Sequence, residues 1–476
     1  MTTRAIPELN RTLRALRKAP VRIVHLGLGA FHRSHQAWYT HNASDASDWG
    51  IAAFTGRRPD AAEALAAQDG LFTLIERSEA GDTFEVIGSI VEAVDGADLL
   101  RLAELVAAPA TSILTLTITE AAYRVDGEVI ANRAAAAAGT DPGTPTTPLG
   151  RLVHALAARR AAGAGPLAVV SCDNLSDNAT VARNAILDLA GSLDPDLVRW
   201  IAGNVSFVGT SVDRITPRTT PEDLAEVRES CGFRDNSAVV AEPFHNWVLS
   251  GEFPAGRPRW EDAGAVFVEE IGPYENRKLW LLNGAHSLLA YAGQLRGHAT
   301  VAEALADPRC LAAVEAFWDE ASEHLQGKDL DIPAYREALR ARFGNGRIAH
   351  HLSQIAADGT TKLRMRALPL LYAERAQGRS GAASALMLAS WIDYTATATG
   401  LRDPLSADIA AANDLDSDRR VAALLALVSP ELAGDHGVIA LVHGLGGTFS
   451  PPSGTTPHYP SNAAAPVSAA HSGKNG

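Results

Sequence analysis

The feature that most constrains the fold is a short apolar run that ends in glycines. Val21–Leu26 is rich in apolar and β-branched residues, and Gly27-Leu28-Gly29 separates it from Ala30–Arg33. A strand, a glycine turn and a helix in this order are typical of a βα unit. The first glycine permits a tight turn, and the second lets backbone N–H groups approach a pyrophosphate. The pattern indicates a dinucleotide site or, because His32 stands where a third glycine belongs, a generic tight turn.

Strand patterns alternate with helical patterns through the first 271 residues. The predicted strands are Val21–Leu26, Trp49–Thr55, Ser112–Thr119, Leu167–Ser171, Val205–Val212 and Ala238–Glu242, and the clearest helical stretches are Ala61–Ala67 and Leu152–Ala162. Strands that alternate with helices favour a mostly parallel α/β sheet. We therefore predict an N-terminal Rossmann-type dinucleotide-binding domain over residues 1–271.

The pattern changes after residue 272, where strand signals become rare. Helix-forming composition covers Tyr274–Gly293, Val301–Leu325, Ile332–Phe343, Leu368–Ala376 and Ala382–Ala396. We predict a mainly α-helical C-terminal domain over residues 272–446. Asp141–Pro148 is predicted to be a surface loop. Residues 447–476, rich in Gly, Pro, Ser, Thr and Ala, are predicted to be a disordered tail.

Composition argues against several classes of protein. The 476 residues carry 42 Lys+Arg and 55 Asp+Glu, a net charge of −13, which disfavours binding to nucleic acid or to an anionic membrane surface. Three widely separated cysteines provide neither a disulfide framework nor a CxxC zinc site, and the 15 histidines show no spacing that supplies three zinc ligands. No stretch approaches the ~18–20 uncharged residues of a membrane span, and the basic N-terminus lacks the apolar segment of a signal peptide. We predict a cytoplasmic protein without a bound metal.

The residues after the second predicted strand leave the cofactor preference open. An acidic residue that binds the ribose 2′-OH is expected near Phe54-Thr55, and none is present there. Asp60 is able to serve NAD, whereas Arg57 and Arg58 are equally able to hold the 2′-phosphate of NADP. Solvation of both arginines at the surface is a third interpretation.

Three polar residues, Lys278, Asn283 and His286, interrupt an apolar helical run. At ~100° and ~1.5 Å per residue they fall within an arc of about 140° and about two turns of an α-helix, so they are able to line one side of a cleft. Burial disfavours the charged form of a lysine, which can bring its pKa from ~10.4 towards ~7–8 and make it a general base for alcohol oxidation. The alternative is a lysine that extends to solvent beside a hydrogen-bonded core Asn and His.

Polar residues also follow two predicted strands of the first domain, where ligands bind in open α/β sheets. Ser171-Cys172-Asp173-Asn174 follows one strand, and Asp213-Arg214 follows another. Asn174 carries an amide donor suited to an oxygen that gains charge, and Asp213 is able to accept from a substrate hydroxyl. Turn formation is the alternative for both segments.

Together these segments resemble the mannitol dehydrogenase family, which comprises long-chain, metal-independent, polyol-specific dehydrogenases. The resemblance spans about Val21 to Leu371. Its motifs are Gly27–Arg33 with Ser34-His35-Gln36, Ser171–Asn174, Val212–Pro217, Glu242–Val248, Lys278 with Asn283 and His286, and Asp358–Lys362. The resemblance implies a monomeric enzyme with a nicotinamide cofactor, NAD or alternatively NADP, and a small-molecule substrate bound in a cleft between the two domains.

The resemblance also implies roles for individual residues. Lys278 matches the catalytic base, and Asn174 and Asn283 match the two amides that hold the developing oxyanion. The residues matched to the orientation of substrate hydroxyls are His286, Asp213 and Lys362. The residues assigned to the cofactor are Gly27, Gly29, Phe31 and Arg33, with Asp60 as the candidate for the ribose.

One departure from the family pattern bears on the substrate. Polyol-oxidising members commonly carry an Arg eight positions before the residue that Lys362 matches, whereas this chain has Gln354, where it resembles fructuronate-reducing members more closely. Lys362, Arg364 and Arg366 also cluster positive charge that is able to hold a carboxylate or phosphate, or to remain solvated.

These observations lead to one expected reaction and several alternatives. We expect hydride transfer between a polyol and its 2-ketose, with D-mannitol and D-fructose as the leading pair. Fructuronate reduction and mannitol 1-phosphate oxidation are the alternatives that use the same chemistry. A catalytically silent dinucleotide-binding regulator and a zinc polyol dehydrogenase are the alternatives from other classes.

Overall fold

The computed structural model describes residues 6–141, 143–327 and 329–450. The chain divides into two compact units, the first ending at Asn276 and the second beginning at Arg277. This division lies inside a short helix. The domain limits at residues 271 and 272 stay a prediction.

The first unit is built on a large sheet and a small one. Its strands in the described part of the chain are β1 Val21–Leu26, β2 Gly50–Phe54, β3 Phe72–Ser78, β4 Gly81–Ile87, β5 Ile90–Val94, β6 Ile113–Leu116, β7 Leu167–Ser171, β8 Val205–Asp213, β9 Val239–Ala241, β10 Asn246–Ser250 and β11 Val266–Phe267. The large sheet has the order β11-β10-β8-β7-β6-β1-β2-β5, and the small sheet has the order β4-β3-β9.

The large sheet has the strand order of a Rossmann fold. The neighbours from β8 through β7, β6, β1 and β2 to β5 pair in parallel, whereas β10 is antiparallel to β8. From β1 the chain adds β2 and β5 on one side, and β6, β7 and β8 on the other, so the order reverses between β1 and β6. The prediction of a Rossmann-type N-terminal domain is confirmed.

Helices cover both faces of this sheet. They are α1 Arg11–Arg14, α2 Ala30–Ser34, α3 Gln36–Asn42, α4 Asp60–Ala66, α5 Leu99–Ala107, α6 Asp126–Ala138, α7 Pro148–Ala161, α8 Asn178–Leu193, α9 Pro195–Asn204 and α10 Pro221–Cys231, with 3₁₀ turns at Ala46–Asp48, Glu120–Tyr123 and Trp260–Ala263. Val24 and Leu26 of β1 pack in one core with Leu152 of α7, and Ile23 packs in the other core with Leu65 of α4. A strand buried on both faces is rich in apolar residues, which is why Val21–Leu26 is recognisable in the sequence.

The second unit is mainly helical, as predicted. After α11 Gly272–Arg277, the chain forms a π-helix at Lys278–Gly284, α12 Ala285–Leu295, α13 Val301–Ala306, α14 Pro308–Ser322, α15 Ile332–Phe343, α16 Leu352–Ile355, α17 Gly359–Arg366, α18 Leu368–Ala376, α19 Ala382–Thr397, α20 Ser406–Asn413, α21 Ser417–Val428, a 3₁₀ turn at Pro430–Gly434 and α22 His436–Leu445. The central helix is α12, which is buried along nearly its whole length and contacts α13, α14, α16, α17 and α19. A helix with apolar residues on all sides is typical of such a position.

Two predicted helices are divided in the structure. The stretch Tyr274–Gly293 is interrupted by the π-helix, and Val301–Leu325 becomes α13 and α14. Asp307 ends α13 and caps α14, because its carboxylate accepts from the backbone N–H of Arg309 at 2.9 Å. Pro308 then occupies the first position of α14, where the missing N–H costs nothing.

The end of the described chain is packed rather than extended. The backbone N–H of Gly447 donates to Asp393 at 2.7 Å, and Phe449 is 2% exposed. Residues 447–450 of the predicted disordered tail are therefore ordered, and the remainder of that prediction lies outside the described residues. No helix in the described ranges is long and apolar enough to cross a membrane.

Candidate active site

The turn after β1 requires glycine at position 27. Gly27 has φ +107°, and a Cβ atom there would lie 2.0 Å from the backbone oxygen of Thr117 at the end of β6. The N–H groups of Gly27 and Leu28 both donate to the backbone oxygen of Phe54, at 2.9 and 2.8 Å. The hydroxyl of Thr117 donates to the backbone oxygen of Gly27 at 2.9 Å. The turn is therefore held against the ends of β2 and β6.

Gly29 differs from Gly27, because the fold itself does not require a glycine there. Its backbone is extended, with φ −140°, and a Cβ atom would meet only the backbone oxygen of Gly27 at 3.5 Å, an ordinary contact. A glycine that the protein's own packing does not need is consistent with close approach of a ligand to the backbone. Helix α2, which follows, is only five residues long and ends at Ser34.

A cavity of about 590 Å³ lies in the first unit at the carboxyl ends of the central strands. Its wall includes Gly27 and Leu28 after β1, Thr55 after β2, and Thr117 and Thr119 after β6. This is the point where the strand order reverses, which is where open α/β sheets bind ligands. Its size suits part of a dinucleotide. Of the residues assigned to the cofactor, Gly27 lines the cavity, whereas Gly29, Phe31, Arg33 and Asp60 do not.

The wall beside β2 carries arginine where an acidic residue was expected. Arg57 lines the cavity together with Arg151, which donates to the backbone oxygens of Gly56 at 3.2 Å and Gly96 at 2.8 Å. Asp60 begins α4, has a side chain that is 71% exposed, and lies 3.4 Å from Arg58. None of the described lining residues is acidic. The structure therefore leaves the preference between NAD and NADP open.

Arg33 has partners within its own unit. Its Nε donates to the backbone oxygen of Gly29 at 3.2 Å, and its guanidinium also donates to the backbone oxygen of Ser237. Burial lowers the pKa of Arg33 to about 10. These bonds connect α2 to the segment before β9. Phe31 stacks on His35, with ring centroids 5.0 Å apart. Contact of either residue with a cofactor stays a prediction.

His32, the residue in place of the third glycine, stacks on a second buried histidine. The rings of His25 and His32 are parallel, with centroids 3.3 Å apart, and neither residue is exposed. His25 bonds to the hydroxyls of Thr115 at 2.8 Å and Thr117 at 3.0 Å. Burial lowers the pKa of His25 to about 3, and burial, followed by the neighbouring His25, also lowers the pKa of His32. The imidazole pair packs beneath the glycine turn in its neutral form.

We expect this histidine packing to make the fold sensitive to acid. His25 and His35 each have a folded pKa of about 3, below the ordinary value of 6.5, so the unfolded chain binds protons that the folded chain does not. The stability that each buried neutral histidine contributes is fully present above pH 6.5 and is lost as pH falls towards 3. From pH 7 to pH 5, each histidine costs about 2 kcal/mol of unfolding free energy.

Urea unfolding at pH 7 and pH 5 measures this effect. Replacement His25→Gln is expected to reduce the loss of unfolding free energy between pH 7 and pH 5 by the contribution of one histidine, about 2 kcal/mol. This expectation holds whatever the effect of the replacement on stability at pH 7. The exposed His154 offers the matched control, and His154→Gln should keep the wild-type difference. If His25→Gln loses as much unfolding free energy between pH 7 and pH 5 as the wild type does, the attribution of acid sensitivity to His25 would be wrong.

In the segment after β7, Asp173, which precedes the proposed donor Asn174, fixes the loop. The carboxylate of Asp173 accepts from the N–H groups of Ile118 at 3.1 Å and Thr119 at 2.8 Å, and from the hydroxyl of Tyr123 at 2.7 Å. Burial raises the pKa of Asp173, and these donors oppose the rise. Asn174 itself is exposed at the carboxyl end of β7. Turn chemistry therefore applies to Asp173, and contact of Asn174 with a ligand stays a prediction.

Asp213 and Arg214 also have separate functions. Asp213 is the last residue of β8, pairs with Asn246 of β10, and is 7% exposed. The buried guanidinium of Arg214 donates to the backbone oxygens of Glu242 at 3.0 Å and Ser34 at 2.6 Å, and pairs with Glu76. Arg214 is thus part of the internal bonding of the first unit, and only Asp213 stays a candidate for substrate.

In the second unit, Lys278 and Asn283 lie on the π-helix rather than on an α-helix, which corrects the predicted arc. Bonds from i to i+5 widen the turn and bring residues five apart nearer to one face. Two backbone oxygens of this segment accept hydrogen bonds from side chains. Trp318 Nε1 donates to Leu281 at 2.7 Å, and Arg366 donates to Asn283 at 3.1 Å. Helix geometry therefore predicts that Lys278 and Asn283 project closer to one face here than they would on an α-helix.

His286 follows on α12 and is 7% exposed. Its ring lies 4.6 Å from that of Phe343 and 4.8 Å from that of His350. Burial lowers the pKa of His286, and the neighbouring His350, Arg342, Arg366 and Lys362 lower it further. His286 is therefore a neutral imidazole in a cationic environment.

The predicted positive cluster on α17 is only partly correct. Lys362 Nζ donates to the backbone oxygen of Ile355 at 2.9 Å, and Arg366 is largely buried beside the π-helix. Arg364 points elsewhere, because it donates to the backbone oxygens of Leu427 and Val428 at the end of α21, each at 2.7 Å. Gln354 on α16 is exposed. The cluster therefore contains Lys362 and Arg366 without Arg364.

Within the described ranges, no three His, Cys, Asp or Glu side chains lie close enough to hold a metal ion. The three cysteines are unpaired thiols, and two of them, Cys172 and Cys310, are buried. The expectation of a metal-independent enzyme stays a prediction that chelation tests.

Comparison with known proteins identifies the family. Residues 21–262 match the mannitol dehydrogenase Rossmann domain, and residues 270–443 match the mannitol dehydrogenase C-terminal domain. The chain is 38% identical over 428 residues to D-mannonate oxidoreductase of Escherichia coli (strain K12), covering 85% of this chain and 88% of that protein. It is 36% identical over 389 residues to mannitol 2-dehydrogenase of Cereibacter sphaeroides, covering 78% and 80%.

A solved structure gives the same result. The ternary complex of Pseudomonas fluorescens mannitol 2-dehydrogenase with NAD and D-mannitol matches with a TM-score of 0.73 and 32% identity, covering 94% of each chain. The family resemblance, the fold class and the prediction of an oxidoreductase are confirmed. The chain belongs to the mannitol dehydrogenase family of oxidoreductases.

Proposed function

We propose that this chain is an NAD-dependent oxidoreductase that interconverts a secondary alcohol of an open-chain polyol or sugar acid and the corresponding ketone. The observation that carries the proposal is the cavity of about 590 Å³ above the Gly27 turn, at the reversal point of the sheet. Relatives with this domain organisation are a mannitol 2-dehydrogenase and a D-mannonate oxidoreductase, and the matched structure holds NAD. D-Mannitol and D-fructose are the pair that the family resemblance suggests first, and fructuronate and mannitol 1-phosphate are the other candidates.

The cavity fits the dinucleotide through its glycine turn and its polar strand ends. Gly27 and Leu28 provide the backbone turn, and Thr55, Arg57 and Thr119 form polar wall positions. Gly29 leaves space for a phosphate at the backbone. When bound, the nicotinamide accepts a hydride from the alcohol carbon or returns one to a ketone.

The roles of the polar side chains follow from their chemistry. Lys278 takes the hydroxyl proton during oxidation and returns it during reduction. The amides of Asn174 and Asn283 donate to the oxygen as it gains charge. His286, Asp213, Lys362 and Gln354 orient the other hydroxyls, and Arg366 lies beside Asn283. A monomeric state and a cytoplasmic location belong to the same proposal.

Absorbance of the reduced nicotinamide tests the function directly. Purified protein is given NADH or NADPH with fructose, fructuronate or fructose 6-phosphate. We expect NADH oxidation with at least one ketone. A protein that binds the dinucleotide but reduces none of these ketones would support the catalytically silent regulator. Efficient use of NADPH alone would identify the Arg57 wall as a 2′-phosphate site.

Chelation separates this mechanism from that of a zinc polyol dehydrogenase. Because Lys278 and two amides supply the proton transfer and the polarisation, we expect full activity after exhaustive dialysis against EDTA and 1,10-phenanthroline. The measurement is the initial rate before and after dialysis, with the metal content determined on the same sample. Loss of activity that added zinc restores would overturn the metal-independent mechanism.

A further inference from the structure

Two partly buried cations of the second unit have neutral partners. Arg366 donates to the backbone oxygen of Asn283 at 3.1 Å and to the hydroxyl of Ser287 at 2.9 Å, and Lys362 donates to the backbone oxygen of Ile355 at 2.9 Å. Burial lowers the pKa of Arg366 to about 10. Among the described residues, neither cation forms an ion pair with a carboxylate. Buried charges are ordinarily paired, so this arrangement points to a missing anion.

One carboxylate near Lys362, that of Asp403, belongs to another contact. Burial and then Arg366 lower the pKa of Lys362, and Asp358 and Asp403 oppose this from a distance. The carboxylate of Asp403 accepts from the N–H of Thr360 at 2.9 Å and from its hydroxyl at 2.7 Å. Asp403 therefore fixes the first turn of α17 and does not neutralise Arg366.

Polar atoms around these cations also lack partners. His286 Nε2, Tyr291 Oη and Arg366 Nε are buried and form no hydrogen bond within the described part of the chain. Tyr291 is fully buried and His286 is 7% exposed. The charge of Arg366 acts on both residues, so the three groups are neighbours. Buried polar groups are rarely unsatisfied, and a polar ligand explains several of them together.

Arg366 lies beside the π-helix that carries two of the proposed catalytic residues. Its bond to the backbone oxygen of Asn283 fixes the guanidinium against the π-helix that carries Lys278 and Asn283. A planar guanidinium fixed in this way suits a carboxylate, which accepts two parallel N–H bonds. A group held there lies next to the amide that the proposed function assigns to the reacting oxygen.

We propose that Arg366 and Lys362 form a subsite for a carboxylate, so that the preferred substrate is a keto sugar acid rather than a neutral ketose. This inference rests on the proposed function. A carboxylate takes the place of a terminal hydroxymethyl group without lengthening the carbon chain, whereas a phosphate ester extends beyond it. The redox step is unchanged: the ketone carbon gains a hydride, its oxygen gains a proton, and the carboxylate stays intact.

The test compares three ketones and three variants. Initial rates with NADH give kcat/KM for fructuronate, fructose and fructose 6-phosphate in the wild type and in Arg366→Gln, Arg366→Lys and Arg364→Gln. Arg364 is the matched control, because it lies on the same helix and donates only to the end of α21. The Tm of each variant, measured by circular dichroism at 222 nm, verifies that the mainly helical second unit is folded.

We expect the wild type to prefer fructuronate. Arg366→Gln should lower kcat/KM for fructuronate by about 10- to 100-fold more than for fructose, the range for a lost hydrogen bond to a charged group. Arg366→Lys should restore part of the preference, and Arg364→Gln should keep the wild-type ratio. Equal losses for both ketones in Arg366→Gln, or a wild-type preference for fructose, would overturn the subsite. A preference for fructose 6-phosphate would assign it to phosphate.

Thermal unfolding separates failure of the subsite from failure of the proposed function. In the presence of NAD, D-mannonate should raise Tm more than the same concentration of D-mannitol. This readout applies even if no ketone is reduced. Equal shifts would overturn the subsite, whereas a mannonate-specific shift without turnover would retain it and refute the reaction.

Discussion

Replacement of Lys278 by alanine is expected to lower kcat by about 10²- to 10⁴-fold, the range for loss of a positioned general base. The hydroxyl of an alcohol keeps its proton at neutral pH, so oxidation requires a group that removes it as the hydride leaves. Lys278 begins the π-helix that also carries Asn283, and the side chains of both are partly buried. Without the amine, the amides still bind the oxygen but no side chain assigned here takes the proton.

Dinucleotide affinity distinguishes this effect from unfolding. The cavity above Gly27 is built from first-unit residues, so Lys278→Ala should bind NADH with the wild-type Kd, measured by fluorescence titration. Lys18→Ala changes an exposed lysine and should keep the wild-type kcat. Partial recovery of Lys278→Ala with added primary amines would support the assignment. Wild-type turnover in this variant would exclude Lys278 as the base.

The parts of the fold that the sequence predicts correctly are those that local patterns determine. β1 and β7 have the predicted limits, Val21–Leu26 and Leu167–Ser171, because strands buried on both faces are rich in apolar residues. α15 and α18 also have the predicted limits. Each begins with a residue followed by proline, which is favoured in the first turn of a helix.

The small sheet and the edges of the large sheet were not predictable in this way. β3 and β4 form a hairpin in which Glu76, Arg77 and Asp82 interrupt the apolar pattern. The predicted strand Ala238–Glu242 is present as β9 but pairs with β3, about 160 residues earlier in the chain. Local pattern predicts that a strand forms, whereas the sheet it joins depends on distant residues.

The candidate site shows the same division between local and distant causes. The need for glycine at position 27 is visible in the sequence because the turn itself demands it. The π-helix is not visible in the sequence, because two of its backbone oxygens accept hydrogen bonds from Trp318 and Arg366, which lie on other helices. Arg364 was grouped with Arg366 by spacing alone, and the end of α21 holds it elsewhere.

Alanine at position 27 is expected to destabilise the protein by about 3 kcal/mol or more and to abolish dinucleotide binding. A Cβ atom there would lie 2.0 Å from the backbone oxygen of Thr117, and φ +107° is strained for any residue but glycine. Relief of the clash requires the ends of β1 and β6 to separate, and both strand ends line the cavity. Stability and binding should therefore be lost together.

Alanine at position 29 is expected to separate these two effects. Its methyl group meets only the backbone oxygen of Gly27 at 3.5 Å, and φ −140° suits any residue, so stability should stay within about 1 kcal/mol of the wild type. The same methyl group occupies space that a pyrophosphate needs at the backbone, so the Kd for NADH should rise at least about 10-fold. Gly127→Ala, in the exposed first turn of α6, is the matched control and should change neither binding nor fold. Urea unfolding and NADH titration of the three variants measure both quantities. Unchanged affinity in Gly29→Ala would show that the dinucleotide does not approach this turn, because the fold of that variant is intact.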